Sequence, residues 1–420
     1  AVVSVEPLAS QRVRFAGHWI DTPLFRRVDL PLGAVVTGPA IISEAHCTTV
    51  VNPNWIATLL NQGELLLESQ TNPDRSHIVP TTTNTDIEPD PIQLEIFNNH
   101  FAAIAKQMGI TLQNTSSSVN VRERLDFSCA IFTSNGELVV NAPHIPVHLG
   151  AMGETVQAII AEQLGNSAGI HAGDVFVTND PYRGGSHLPD ITVVTPVFND
   201  DALLFFTASR AHHSEIGGIT PGSMPPFSTT LAEEGVLIRS FKLLTAGQSH
   251  EDTLLHILGD HPFPSRTPEI NLADIRAQVA ANQQGVDDLQ QLLDTTGQQH
   301  VLAYMQFIQS AAELKTRQAI EALADGVYGH TDFLDEHAAG HHEAQIKVTI
   351  TVECDNITFD FAGTSDVLPS NLNANSAIVT AAVMYVMRCL INEDIPLNAG
   401  ILKPVKILIP QCMLNPDDHE

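Results

Sequence analysis

Residues 191–209 read ITVVTPVFNDDALLFFTAS. Two apolar runs, ITVVTPVF (191–198) and ALLFFTAS (202–209), are rich in β-branched and aromatic residues and are separated by Asn199-Asp200-Asp201. That pattern predicts an antiparallel hairpin. With the turn at 199–201, the two numbers of each pair add to about 401, so 190 faces roughly 211 and 187 faces roughly 214. Outward from the hairpin lie NDPYRGGSHLPD (179–190) and RAHHSEIGG (210–218). The pairing therefore brings His187 and Asp190 to the same end as His212, His213 and Glu215. Two imidazoles and a carboxylate converging on an open face form the ligand set of a catalytic divalent metal. The blander reading is a group of loop histidines bonded to nearby turns. His187 and Asp190 are three apart, which on an ideal strand points them to opposite faces. Leu188-Pro189 must then be a turn, with freedom supplied by Gly184-Gly185. His212 and His213 face opposite ways on a strand, so bulge geometry decides which of them joins the site.

The chain has 420 residues, 43% hydrophobic and 16% charged. This suits about two or three globular domains with a substantial core. Lys+Arg minus Asp+Glu is 20 − 48, or −28. Such a surface repels phosphate backbones and anionic lipid, which argues against nucleic acid and membranes as partners. Cys47, Cys129, Cys354, Cys389 and Cys412 are widely spaced and odd in number, which predicts reduced thiols and a cytoplasmic location. The longest apolar run, AIVTAAVMYVM at 377–387, is too short to span a bilayer. Strand-like AVVSV at the start and LNPDDHE after VKILIP predict a fragment of a longer polypeptide.

Along the chain, residues 1–70 break into short strand-like pieces with Gly and Pro between them, predicting a small all-β module. Residues 71–90 (TNPDRSHIVPTTTNTDIEPD) are polar and aperiodic, predicting a linker. A helix should start at Asp90-Pro91, with Gln93 completing a capping box and Gly109 ending it. Strands dominate 119–209, with one helix near 150–164. Leu272, Ile275, Val279, Val286, Leu289 and Leu293 mark one long helix. Beyond Thr295-Thr296-Gly297, Val301, Met305, Ile308, Leu314 and Ile320 mark another. Strands return at 345–361 and a buried helix covers 376–391. The predicted class is α+β: the small all-β module, then a larger mixed domain over 91–420 with long helices and a metal-bearing hairpin.

TNDPYRGGSHLPDITVVTPVF (178–198), ERLDFSCAIFTSNGELVVNAPHIPVHLGAM (123–152) and SRAHHSEIGGITPGSM (209–224) closely resemble the hydantoinase B/oxoprolinase family. The segment LPLGAVVTGPAIISEAHCTTVVNPNW (30–55) looks like the C-terminal end of a hydantoinase A domain. The resemblance implies His187, Asp190 and His212 as metal ligands, with Zn²⁺ or Mn²⁺ as the ion. It implies Asp126, His213 and Glu215 as candidate proton-transfer groups, and His148, before a predicted helix start at Gly150, is a further candidate for the catalytic site. Pairing with Arg122 or Arg124 is the competing reading for Asp126, and a buried histidine bonded to backbone for His148. Asp180 and Tyr182 are candidates to orient ligands, with a simple turn residue as the competing reading for Asp180, and Cys129 reads as core. The cluster DEHAAGHHE at 335–343 reads as solvated surface.

The implied activity is the hydrolytic half of an ATP-dependent cyclic-amide hydrolase, acting on 5-oxoproline or a hydantoin. ATP and Mg²⁺ would be bound by a hydantoinase A-type domain or subunit, because no GxxxxGK[ST] motif occurs here. An oligomer is expected. The alternatives are a ketone-carboxylase-type subunit and a non-catalytic scaffold that completes the A-domain site. Limited proteolysis of the full-length protein should cut first between about 71 and 90 and leave a fragment beginning near Asp90. Resistance there equal to that of the core would contradict the linker.

Overall fold

In a computed structural model of the chain, the described residues are 5–15, 18–60, 62–70, 87–142, 145–164, 169–334, 344–391 and 397–417, without the side chains of 146, 147 and 149. The chain divides into two compact units, Ala1–Thr85 and Asp86–Glu420. Of the predicted 71–90 linker, residues 71–86 lie outside the described residues, as does the 335–343 cluster.

The first unit is built from β1 (Ala9–Phe15), β2 (His18–Arg26), β3 (Val35–Thr37), β4 (Ala40–Ser43), β5 (Thr48–Val51), β6 (Trp55–Leu59) and β7 (Leu65–Ser69). They form two sheets, ordered β1-β2-β4-β5 and β3-β6-β7, around a core of Ala34, Val36, Ile42, Val51 and Ala57. This matches the all-β reading.

The second unit opens with α1 (Pro91–Thr115). Asp90 caps it, its Oδ1 accepting from the amides of Ile92 at 2.9 Å and Gln93 at 2.8 Å. The reciprocal arm of the expected capping box is replaced, because the Asp90 amide donates to the Tyr304 hydroxyl at 3.3 Å. Gly109 does not end the helix. It is buried within it, where Met108 and Leu112 are also buried, and packing carries α1 on to Thr115.

A short helix α2 (Val119–Arg122) leads into β8 (Phe127–Thr133), β9 (Leu138–Asn141), α3 (Pro146–Leu164), β10 (Val175–Thr178), β11 (Asp190–Asn199) and β12 (Ala202–His212). Then come α4 (Leu231–Glu234), β13 (Phe241–Thr245), β14 (Gln248–Ser249), α5 (Glu251–Gly259), α6 (Pro268–Thr296) and α7 (Gln298–Glu321). Gly297, at φ +88°, breaks the last two helices apart as the sequence predicts. The chain continues through β15 (Gly326–Leu334), β16 (Ala344–Glu353), β17 (Asn356–Asp360), α8 (Ser376–Ile391) and β18 (Val405–Leu408). Strand β15 was not anticipated, and Leu314, expected on the buried face of α7, is 55% exposed.

The central sheet is antiparallel and ordered β14-β13-β10-β11-β12-β8-β9. One face packs on α1, α6 and α7 through Cys129, Ile131, Val197, Phe205 and Ala211. The other packs on α3 through Ala130, Phe132, Val194, Phe206 and Ala208 against Met152, Val156 and Ile159. Burial on both faces explains why β11 and β12 read as continuous apolar runs rather than alternating ones. A second sheet, β15-β16-β17-β18, packs against α8.

Helices α3 and α8 meet at Gly150, where a Cβ would come within 2.7 Å of the Ala381 Cα and 2.9 Å of its amide nitrogen. Neither backbone atom can rotate away. Gly150→Ala should therefore lower stability by about 1–3 kcal/mol despite the better helix propensity of alanine. Urea unfolding measures this, and an increase in midpoint would contradict the contact.

Candidate metal centre

The hairpin forms as predicted, but its register changes partway along. Near the turn Asn199 pairs with Ala202 and Phe198 with Leu203, as expected, whereas beyond it Val197 pairs with Phe205. Leu204 is the extra residue of a β-bulge. Every later pair is displaced by one, so Asp190 faces His212 rather than 211. Leu203 packs on the α3 face, while Leu204 and Phe205 both belong to the opposite core. The bulge thus turns Arg210 and His212 toward α3 and Ala211 and His213 toward α6.

On the N-terminal side, a 3-10 turn at Pro181–Arg183 ends in Gly184 at φ +83°. A Cβ on Gly184 would lie 2.2 Å from the Thr155 amide nitrogen, so this loop comes against α3 only with glycine there. The Asp190 amide donates to the His187 carbonyl at 3.0 Å, closing the turn expected at Leu188-Pro189.

The result is a triangle of ligand-type atoms. His187 Nε2 lies 3.0 Å from Asp190 Oδ1 and 3.1 Å from His212 Nδ1, and His212 Nδ1 lies 3.1 Å from Asp190 Oδ1. Among the described residues this is the one group of three or more His, Cys, Asp or Glu side chains that could hold an ion. The donor set fits a divalent cation. Ligands bound at roughly 2.0–2.2 Å in a tetrahedral shell would sit roughly 3.3 Å apart, close to the spacing here. Asp190 is 3% exposed at its side chain while His187 is 34% exposed, which leaves one side of the triangle open.

The rest of the carboxylate is held in place. Asp190 Oδ2 meets His148 Nε2 at 3.3 Å and accepts from the Ser186 hydroxyl. His148 Nδ1 lies 3.0 Å from Ser128 Oγ. Burial pushes the Asp190 carboxyl up, but the bonds from His148, His187 and His212 outweigh it and hold the group well below the usual carboxylate range. For His212, burial opposes the charged ring, and Asp190 and then Asp126 override it and raise its pKa. Asp126 thus bears on the site electrostatically, and its carbonyl accepts from the His212 amide at 2.9 Å.

Two residues before His212, and so on the same face, lies fully buried Arg210. It donates to Thr192 Oγ1, Thr155 Oγ1 and the Gly184 carbonyl, each at 2.8 Å, tying β11, α3 and the glycine loop together. Its other terminal nitrogen, Nη1, has no hydrogen-bond partner, and burial lowers the pKa of the guanidinium to about 10. Sequence reading passed over Arg210, Ser128 and Ser186. The i, i+2 spacing of Arg210 and His212 was the available signal for the first.

The structure does not bring His213 and Glu215 to the triangle. His213 has Nδ1 3.1 Å from Asn271 Oδ1 and Nε2 3.1 Å from Gln278 Oε1, both on α6. Glu215 accepts from the Gly217 amide at 2.8 Å, Ser265 Oγ at 2.6 Å and the amides of Arg266 and Thr267 at 3.0 Å. Burial alone would raise its pKa, yet these donors pull it down to about 2. Such a carboxylate anchors the start of α6 instead of moving protons. Asp180 anchors its own turn, accepting from the Tyr182 amide at 3.0 Å and from Arg183 at 2.6 Å. Cys129 lies in the core, where burial raises its thiol pKa.

Beside the triangle opens a cavity of about 900 Å³, lined by Ser186, His187, Tyr182, Glu234, Asn373 and Asn375 among others.

Purified wild type should carry near-stoichiometric divalent metal and His187→Ala should lose it, as read by elemental analysis; equal content would contradict the site. Glu215→Gln should cost about 2–4 kcal/mol at pH 7. Because the folded-state pKa is depressed, that contribution is present above about pH 4.5 and is lost as pH falls toward 2. An unchanged acid-unfolding limb would contradict this role.

The hydantoinase B/oxoprolinase family model matches residues 90–420. The chain is 43% identical to 5-oxoprolinase 1 of Arabidopsis thaliana over 427 residues, covering 95% of this chain and 32% of that protein. It is 40% identical to the 5-oxoprolinase of Saccharomyces cerevisiae, covering 98% of this chain and 32% of that protein. The chain thus spans about a third of the length of these curated relatives. Among solved structures, the ATP-dependent caprolactamase from Pseudomonas jessenii superposes with a TM-score of 0.72 at 26% identity, over 79% of this chain and 56% of that one. A nucleotide-free acetone carboxylase superposes with a TM-score of 0.71 at 20% identity, over 79% of this chain and 45% of that one, which speaks to fold alone. The long motifs around the hairpin and the match over 90–420 agree, and the chain belongs to the hydantoinase B/oxoprolinase family.

Proposed function

We propose that this chain is the metal-bearing, substrate-holding part of an ATP-dependent cyclic-amide hydrolase, and that the ring opened is 5-oxoproline, giving glutamate. The observation that carries the proposal is the His187–Asp190–His212 triangle, open on the side of a cavity large enough for a ring substrate. The relatives named 5-oxoprolinase, at 40–43% identity, support this substrate over a hydantoin. An unstrained lactam is a poor electrophile. Phosphorylating its carbonyl oxygen makes attack by water feasible, which gives ATP its role. The chain has no GxxxxGK[ST] motif, so we assign ATP and Mg²⁺ to a hydantoinase A-type region of the whole protein or a partner subunit.

The divalent ion, Zn²⁺ or Mn²⁺ in this reading, would supply Lewis-acid polarisation of the substrate or an acidified water. The chain's own residues prepare that site. Asp190 is kept anionic and aimed by His148 and Ser186 at its second oxygen, so the first stays with the two ligand imidazoles. Ser128 fixes the His148 ring in turn. Asp126, next to His212 across β8 and β12, is the carboxylate we assign to proton transfer at this end of the sheet. Arg210 fixes the glycine loop that carries His187, so ligand spacing is set before substrate arrives.

The full-length protein should release glutamate from 5-oxoproline only with ATP, and His187→Ala should lower kcat/KM by on the order of 1000-fold. Full activity in that variant would place catalysis in another region and leave this chain a scaffold.

A further inference from the structure

We infer that Glu234 is a recognition residue of the cavity, accepting a hydrogen bond from the ring N–H of a cyclic amide; this rests on the cyclic-amide reading above. The strand that delivers His212 also positions Glu234. Beyond His212 the chain runs through Ile216-Gly217-Gly218, with the glycines at φ +90° and +84°. A Cβ on Gly218 would lie 2.4 Å from the Glu234 carbonyl oxygen, so loop and α4 come together backbone to backbone. The Ile219 amide donates to the Glu233 carbonyl and the Val236 amide to the Ile216 carbonyl, both at 2.8 Å. Glu234 is therefore stitched to the exit of the metal-bearing strand, although it lies 22 positions beyond His212.

Its side chain is under-partnered. Ser228 Oγ donates to Oε1 at 3.0 Å, and no described residue donates to Oε2. Glu215, by contrast, takes bonds from Gly217, Ser265, Arg266 and Thr267. Burial raises the Glu234 pKa, and the bond from Ser228 and the field of His187 only partly offset it. A half-buried carboxylate with one oxygen short of donors, at the wall of a cavity, favours a ligand that brings one. Glu234 and His187 line the same cavity, so the ligand must place a donor near the first and an electron-rich oxygen near the second. A cyclic amide carries both on adjacent atoms, N–H and C=O. A lactone carries the oxygen and lacks the donor, which leaves the carboxyl unpaired, and sites built to pair with an N–H reject such analogues.

The test titrates Mn²⁺-loaded full-length protein by calorimetry with 2-pyrrolidinone and with γ-butyrolactone, in wild type, Glu234→Ala and Glu234→Gln. Wild type should prefer the lactam by about tenfold or more. Glu234→Gln, which keeps an acceptor oxygen, should retain the preference, and Glu234→Ala should lose it with metal content unchanged. An undiminished preference in Glu234→Ala overturns the inference, as does a wild type that binds the two rings equally or neither at all. Binding is read without turnover. A protein that shows the Glu234-dependent preference yet hydrolyses no cyclic amide would refute the hydrolase reading and leave this one standing.

Discussion

One extra residue governs the centre. Leu204 sits in β12 without a partner in β11, and from that point every pair in the hairpin is displaced by one. Side chains alternate faces along a strand, so a displacement of one exchanges the residues on the two faces of the sheet. Without the bulge, Asp190 would face Ala211, and His212 would turn toward α6. With it, Asp190 and His212 are directly opposed and their side chains share the α3 face. Directly opposed residues have Cβ atoms roughly 4.5–5.5 Å apart, near enough for both side chains to reach one ion. The glycine loop then has only to bring His187 over the top, which the left-handed Gly184 and its close approach to Thr155 allow.

The polar groups gathered there are costly by the ordinary rules of a protein interior. Asp190, His148 and Arg210 are almost wholly buried, and the last keeps one terminal nitrogen without a hydrogen-bond partner. Burying such groups costs several kcal/mol each unless they are paired. On the α6 face amides of α6 pair with the strand carbonyls, although Asn282 Oδ1 is itself left without a partner. Gln278 donates to the carbonyls of Ile191 and Ser209, and Asn282 to that of Val193. Perturbed groups gathered around a three-ligand cluster on the α3 face, beside a cavity, are the pattern expected of a functional site. The α6 face serves as its scaffold.

Much of this was legible in the sequence. Period, turn and caps gave the hairpin, the start of α1 and the break at Gly297, because each is a local signal. The convergence of His187 and Asp190 with the histidine pair followed from turn position alone. The bulge did not, since Leu203, Leu204 and Phe205 are all apolar and either face of this sheet accepts them. Nor did the fate of His213 and Glu215, whose partners lie 50 to 65 positions away on α6 and its approach. Gly109 looked like a helix end because its neighbours in space, not in sequence, keep α1 going. Glu234 gave no signal, as its nearness to His187 depends on two glycines whose purpose is close backbone contact.

The central claim is that register assembles a three-ligand cation site from His187, Asp190 and His212, with His213 excluded. Anomalous diffraction from crystals of the full-length protein grown with Mn²⁺ tests it most directly. The account predicts one strong peak at bonding distance from His187 Nε2, His212 Nδ1 and Asp190 Oδ1. A peak ligated by His213, or a strong peak elsewhere with none at this triangle, would contradict it.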